Sequence, residues 1–455
     1  MQASRILDSF LICSIVAFAC ILIFATKTNK ISLFDFFPSW SWISFAVVPY
    51  LYLKRYFPTE PARLQEVGLI LMTYFILSAD LIAAKRYFRI KLGVVPSNVS
   101  GAKISKVWLS LAFLSTILIM SRFINFGIPF TQLFNNQDVK QVTLARQEFT
   151  KTTNFTQIYF YILNYILFVL APLVLLQMLR KKKYILFSAF FIFMIFYSIA
   201  STAKSPLIQF ILIVTFLLLQ KSKIRPLNLK ILFAWGLSLI LINICLISSI
   251  SSLVPLKVEQ VVSSQSSSEF PNHIVPTTPA DLMRDQEYSG VANHISSYFT
   301  YRILLVPMEV SNRWYDYWSP ENLHSRSFMK VLEFKETPKA SNLVGVWAYA
   351  TRFPEHYSKS INANASLDAD AYSFGGFFYV TFIGIAYFVI RLLVSKFSMA
   401  ENPVLRDLYA IGIALLTFLP FQASFQAIIG AQGVGLVIMC MIFIKATKSR
   451  AESNC

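Results

Sequence analysis

Arg180-Lys-Lys-Lys183 followed by YILFSAFFIFMIFYSIA over residues 184–200 decides the class of this chain. The apolar run carries no charged residue, and at about 1.5 Å per residue a helix of its length nearly matches a hydrocarbon core of roughly 30 Å. Lipid offers a backbone no hydrogen-bond partner, so a run of this kind crosses as a helix, and four consecutive cations halt it at the headgroups. The flanking sequence repeats the pattern: Phe155–Leu179 precedes the basic block, and Leu207–Leu219 follows the corner Ser201-Thr-Ala-Lys-Ser-Pro206.

Worked outward, the same reading finds spans at Ile6–Phe24, Val67–Ala84, Val107–Phe130, Leu229–Ser252, Phe374–Val394, Leu408–Gln422 and Ser424–Ile444, with a short one at Trp40–Leu53. The expected fold is therefore an all-α polytopic membrane protein of about eleven transmembrane helices. Composition agrees: 56% of the 455 residues are hydrophobic and 14% charged, against roughly 25% charged in soluble domains, and the mean hydropathy is +0.56. Three regions are expected: residues 1–252 with about eight spans, a large polar loop over 253–373, and residues 374–455 with about three spans and a short tail.

The net charge of +18 would suit nucleic acid only if it formed a basic surface in water. It follows topology instead. Lys85, Arg86, Arg89, Lys91, Lys103 and Lys106 precede one span; Arg180–Lys183 form a second group; Lys221, Lys223, Arg225 and Lys230 form a third; Arg391, Lys396 and Arg406, then Lys445, Lys448 and Arg450, complete the set. All fall on one side of the membrane, which the positive-inside rule makes the cytoplasm. Anionic lipid headgroups, not nucleic acid, are the expected partner of this charge.

The opposite face receives residues 131–154, the corner around Lys204, and the loop over 253–373. That loop holds all four histidines (His273, His294, His324, His356) and thirteen of the 23 acidic residues against ten Lys and Arg. Its Ser263–Ser268 tract is low in complexity, while Asp281–Trp318 is expected to be helical, with apolar positions at Ile303, Val306, Val310 and Trp314. An uninterrupted segment this long is a folded external subdomain or functional in itself.

The motifs narrow the chemistry. No phosphate-binding glycine loop is present, which argues against an ATP-driven pump. The five cysteines (Cys13, Cys20, Cys245, Cys440, Cys455) form no CxxC pair, and the histidines lack zinc spacing, so no metal or other cofactor is expected. Asp80 is the clearest acidic residue inside a span, with Arg122 near the outer end of another, and such residues keep a transporter in view. External cations form a more coherent set: Arg302, Arg146, Lys204, Arg352 and Arg313, in that order, are candidates for holding a phosphate or pyrophosphate headgroup. Asp368 and Asp370 close the loop ahead of the Phe374 span, where carboxylates suit a helix N-terminus.

Taken together, Gly127-Ile-Pro129 followed by Arg146, the small-polar corner at Lys204, Arg302 before Pro307 with Tyr315 and Tyr317, and Asn364 before Ala371-Tyr-Ser-Phe-Gly375 resemble the O-antigen polymerase, or oligosaccharide repeat-unit polymerase, family. Lys204 stands where that resemblance leads one to expect arginine. The resemblance implies a bacterial inner-membrane glycosyltransferase of the all-helical GT-C-like class, acting at the periplasmic face without a cofactor. It implies undecaprenyl-pyrophosphate-linked oligosaccharides as substrates, with a chain-length regulator and a flippase as partners. The cations above would bind pyrophosphate, with Asn364 and Tyr372 lining the substrate, and a general base would deprotonate the acceptor hydroxyl. Four residues are open for that base: His356, which titrates near neutrality, Glu355, Asp370 and His294. An O-antigen ligase and a lipid-linked oligosaccharide flippase are the alternative functions.

Overall fold

The computed structural model describes residues 9–13, 16, 36–54, 59–87, 106–128, 154–200, 204–221, 306–318, 326–332, 340–349, 364–397, 402–420 and 423–453. Among them the structure is helical, with no β-strand. In chain order the helices are α1 (Phe37–Trp42), α2 (Val48–Leu53), α3 (Thr59–Tyr87), α4 (Lys106–Phe126), α5 (Asn154–Tyr165), α6 (Ala171–Arg180), α7 (Tyr184–Ala200) and α8 (Lys204–Lys221). They continue with α9 (Val306–Tyr317), α10 (Phe328–Leu332), α11 (Ala340–Tyr349), α12 (Leu367–Tyr372), α13 (Phe377–Ser395), α14 (Pro403–Phe418) and α15 (Val434–Ser453). Single π-helical turns at Ile43–Val47 and Ile166–Leu170 join α1 to α2 and α5 to α6, and a third lies at Ala427–Ala431.

Four described helices are long and apolar enough to cross a bilayer: Pro61–Ala83, Lys106–Asn125, Tyr159–Arg180 and Phe377–Ser395. Each falls within a few residues of an expected span. Tyr184–Ala200, Pro206–Leu218 and Val434–Thr447 are shorter apolar helices. The described part of the chain is all-α, and its helices suit a membrane. The span expected at Ser424–Ile444 is not one continuous helix: Gly433 takes φ +92° between the π-helical turn and α15, a conformation that glycine adopts without the steric cost of a side chain. The expected spans at Ile6–Phe24 and Leu229–Ser252 lie largely or wholly outside the described residues.

The chain divides into two compact units. The first comprises Met1–Lys91, Gln260–Ser395 and Leu416–Ile428. Its axis is α3. Ser39 meets Asp80, the Trp42 indole donates to Thr73 Oγ1 at 2.9 Å, and the Tyr50 hydroxyl donates to the Ala62 carbonyl, so the α1–α2 segment runs antiparallel to α3. Helix α13 runs parallel to α3, because Gly384 lies on Phe75 and Arg391 meets Asp80. A Cβ at Gly384 would sit 2.2 Å from the Phe75 ring; the missing side chain is what lets the two helices approach. Near the far end of this pair the Arg391 guanidinium donates from Nε to Asp80 Oδ1 at 2.7 Å, while the Ser39 hydroxyl and amide donate to Oδ2 at 2.6 and 2.9 Å. Both ionic side chains are fully buried. Asp80, the residue that kept a transporter in view, thus has a structural partner that neutralises its charge.

The second unit comprises Leu92–Glu259, Lys396–Leu415 and Ile429–Cys455. Its basic turn, Lys181 to Lys183, places Lys182 at φ +56°, and the amides of Lys181 and Lys183 close back on the last carbonyls of α6. Arg180 forks onto the buried Asp407 of α14, with Nη2 to Oδ1 at 2.6 Å. At the other end of α4, Arg122 is fully buried over the Tyr159 ring, and Phe123 packs on Phe196 and Tyr197. Leu109, Phe113, Leu114, Ile117, Met120 and Ile124 leave one face of α4 apolar and exposed, as a lipid-facing helix requires.

Candidate functional site

Helix α9 is the unusual element of the first unit. From Met308 to Tyr315 every residue is buried, including Glu309, Ser311, Asn312 and Arg313. A helix polar on several faces and buried on all of them must meet polar neighbours, because an unpaired buried polar group costs more than its hydrogen bond returns. The start of α3 supplies one set: Gln65 donates from Nε2 to the Met308 carbonyl at 3.1 Å and accepts from Asn312 Nδ2 at 3.0 Å. One turn along both helices, Tyr315 lies over Gly68. A Cβ there would fall 1.9 Å from the tyrosine hydroxyl, so only glycine admits this packing.

Helix α12 supplies the other set. It is six residues long and all six are buried. Its Leu367 amide donates to the Pro420 carbonyl at 2.7 Å. Just before it, the Ser366 hydroxyl and amide meet Ser311 Oγ at 2.8 and 3.0 Å. Asp368 Oδ2 accepts from the Tyr315 hydroxyl at 2.9 Å, and the Tyr315 and Tyr372 rings pack with centroids 4.7 Å apart. Burial pushes the Asp368 carboxyl up to about 6, opposed by the hydroxyls of Ser366 and Tyr315 and by the first amides of α12. The Tyr315 phenol is raised well above its ordinary value, first by burial and then by the neighbouring carboxylate.

Asp370 faces a different partner. Arg326 Nη1 lies 2.7 Å from its Oδ1 and 2.6 Å from Ser373 Oγ, while Oδ2 accepts from the Phe425 amide at 3.4 Å. The guanidinium lies over two aromatic rings, 4.2 Å from the Phe374 ring centroid and 5.4 Å from that of Trp314. Cation–π contact and a buried ion pair together hold Arg326 in place. The two carboxylates of the Asp368-Ala-Asp370 run therefore serve separate partners and do not converge. Among the described residues no group of three or more His, Cys, Asp or Glu side chains is placed to hold a metal.

Of the residues singled out in the sequence, the structure brings Asp370, Tyr372 and Arg313 into this buried cluster. Asn364 is exposed two residues before Ser366. Arg313 lies 3.8 Å from Asp316. Lys204 is the first residue of α8. His356, Glu355, His294, Arg302, Arg146 and Arg352 lie outside the described residues. Arg326, Tyr315, Gln65, Gly68 and Asp368 carry the polar packing, yet only Tyr315 and Asp368 stand in a recognisable sequence run. Arg326 is one of ten Lys and Arg in the loop, 44 positions from its carboxylate, and no local spacing distinguishes it. Comparison with known protein families, with curated proteins and with solved structures finds no match.

Proposed function

We infer that the chain is a membrane glycosyltransferase that joins polyprenyl-pyrophosphate-linked oligosaccharide repeat units, with the end of the first unit that carries α9 and α12 facing the periplasm. The observation that supports this reading is the buried polar platform itself. A loop that merely connected two spans would not need a helix with Glu309, Asn312 and Arg313 inside it, locked to α3 and α12 by side-chain hydrogen bonds. Such a platform gives the flanking chain a fixed frame. Arg302 precedes α9 by four residues, and the His356–Asn364 stretch leads directly into α12.

In this mechanism pyrophosphate is the leaving group, so the developing charge is met by cations, Arg302 first, with Arg146 and Lys204 also in that role. A base removes the acceptor proton, worth about 10²–10⁴-fold. Asp370 already accepts from Arg326 and Phe425, which makes His356 the first choice for the base. The deciding experiment is reconstitution of the purified chain with lipid-linked repeat units. Glycan ladders are expected from the wild type and none from Arg302→Ala at equal membrane insertion. Normal ladders from that variant would end the assignment, transfer onto lipid A-core would make the protein a ligase, and translocation without new bonds would make it a flippase.

A further inference from the structure

The short helix α10 is pinned at one end and apolar and open at its surface. The Ser327 hydroxyl accepts from the Lys330 amide at 3.4 Å and caps its first turn. Just before it, Arg326 is held by Asp370 and lies over the Phe374 ring. Just after it, Phe328 packs against rings at the start of α13: its centroid lies 5.2 Å from Phe374, edge to face, 5.8 Å from Tyr379 and 6.1 Å from Phe382. These contacts fix α10 beside the first turns of α13. At the same junction Met329 is 61% exposed, Phe378 75% and Phe382 47%.

Helix α13 locates this junction in depth. Phe377–Ser395 is long and apolar enough to cross a bilayer, and its 19 residues come to about 28 Å against a hydrocarbon core of roughly 30 Å. A helix with so little length to spare crosses with its first turns at one boundary of the core. Phe378, Phe382, Ile385 and Val389 form one exposed stripe along it at helical spacing, and Phe328 joins α10 to the first end of that stripe. The side chains there sort as an interfacial element requires. Aromatic rings and Met329 stand at the boundary, Lys330 is exposed beside them with an apolar stem that lets its ammonium reach lipid phosphate, and the ion pair of Arg326 and Asp370 is buried behind. A cluster of large exposed apolar side chains marks a protein or a membrane contact; continuity with the α13 stripe selects the membrane.

We propose that α10 binds the lipid surface: it lies in the headgroup region of the leaflet at the α12 end of α13, with Met329, Phe378 and Phe382 against the acyl chains and Lys330 at the phosphates. It thereby sets the depth of the Arg326–Asp370 pair, and through α12 that of the buried polar platform, relative to the bilayer surface. This holds whichever face of the membrane that end takes and whatever reaction the protein performs. The test uses the full-length protein, its cysteines replaced by serine, in nanodiscs of phosphatidylcholine and phosphatidylglycerol. Nitroxides are attached at Met329→Cys, Phe378→Cys, Ile385→Cys and Asn364→Cys. Their collisions with oxygen and with a water-soluble nickel chelate are measured by power saturation, calibrated on lipids labelled at known depths. The labels at 329 and 378 are expected within about 5–10 Å below the phosphates, the label at 385 deeper, and the label at 364 in water. A label at 329 as open to nickel as that at 364 would overturn the proposal and place α10 in water. One closed to both reagents would overturn it in favour of a protein cover, whether another part of the chain or a second copy. A label at 385 open to nickel would take α13 out of the bilayer and the proposal with it. If Met329→Cys does not fold, the label at 378 decides by the same criteria.

Discussion

At the scale of single residues, two of the buried aspartates of the first unit, Asp80 and Asp368, solve the same problem in opposite ways. Asp80 faces the fully buried Arg391, with Ser39 satisfying the second oxygen. Removing one partner strands a charge in an apolar surround, which typically costs about 3–5 kcal/mol, whereas replacing both with apolar groups is often close to neutral. Arg391→Leu and Asp80→Leu are therefore each expected to unfold at markedly lower temperature than the wild type, and the double variant to recover most of the loss. A double variant no better than the worse single would mean that the pair does more than balance charge. Asp368 has no such partner and is held near 6 instead of 3.8. Because folding raises this value, the favourable contribution of its neutral form is complete below about pH 4 and is lost as pH rises through about 6, a swing of about 3 kcal/mol. Stability is thus expected to fall between about pH 4 and pH 6, and Asp368→Asn to flatten that slope. An unchanged slope in the variant would place the titrating group elsewhere.

At the scale of elements, α12 is small but connects more neighbours than its six residues suggest: Leu367 reaches Pro420, Asp368 reaches α9, Asp370 reaches Arg326, and its flanking Ser366 meets Ser311. Helix α9 depends equally on the start of α3, where Gly68 makes room for Tyr315. Gly68→Ala is expected to displace the tyrosine, break its hydrogen bond to Asp368 and destabilise the α9–α12 contact by more than the propensity gain of about 1 kcal/mol that alanine brings to a helix. Faster hydrogen exchange over 306–317 and 364–373, with little change over α13, would be the signature; uniform exchange across both would show that Gly68 acts on the whole unit. These couplings also mark what the sequence made legible. The apolar runs located α3, α4, the α5–α6 segment and α13 to within a few residues, because span length and the exclusion of charge are local properties. Arg391 meeting Asp80 across 311 positions, and Arg326 meeting Asp370 across 44, depend on which helices neighbour each other, and no periodicity records that. Arg391 itself reads as one more cytoplasmic cation until its burial shows it to be half of an internal pair. The break at Gly433 is a further case: the run Gly430-Ala-Gln-Gly433-Val-Gly435 is apolar enough to continue a span, and the positive φ of one glycine interrupts it.

At the scale of the whole molecule, the disposition of charge makes a prediction that needs no knowledge of the reaction. The five basic groups hold 20 Lys and Arg, while the 253–373 loop carries ten basic and thirteen acidic residues. In the proposed topology a membrane potential and anionic inner-leaflet lipids would act on that asymmetry in one direction, retaining the basic turns inside and allowing the nearly balanced loop to cross. Two exposed positions report on it: Lys182 in the basic turn after α6, and Asn364 at the entrance to α12. In a background with Cys13, Cys20, Cys245, Cys440 and Cys455 replaced by serine or alanine, Asn364→Cys is expected to react with a membrane-impermeant maleimide in intact spheroplasts. Lys182→Cys is expected to react only after the membrane is opened. The reverse pattern would move the polar platform to the cytoplasm and remove the periplasmic glycosyltransferase reading with it, since a lipid-linked donor presented on the outer face could not reach it. Labelling of both positions in intact spheroplasts would instead mean that the basic turn after α6 faces outward, against the charge rule.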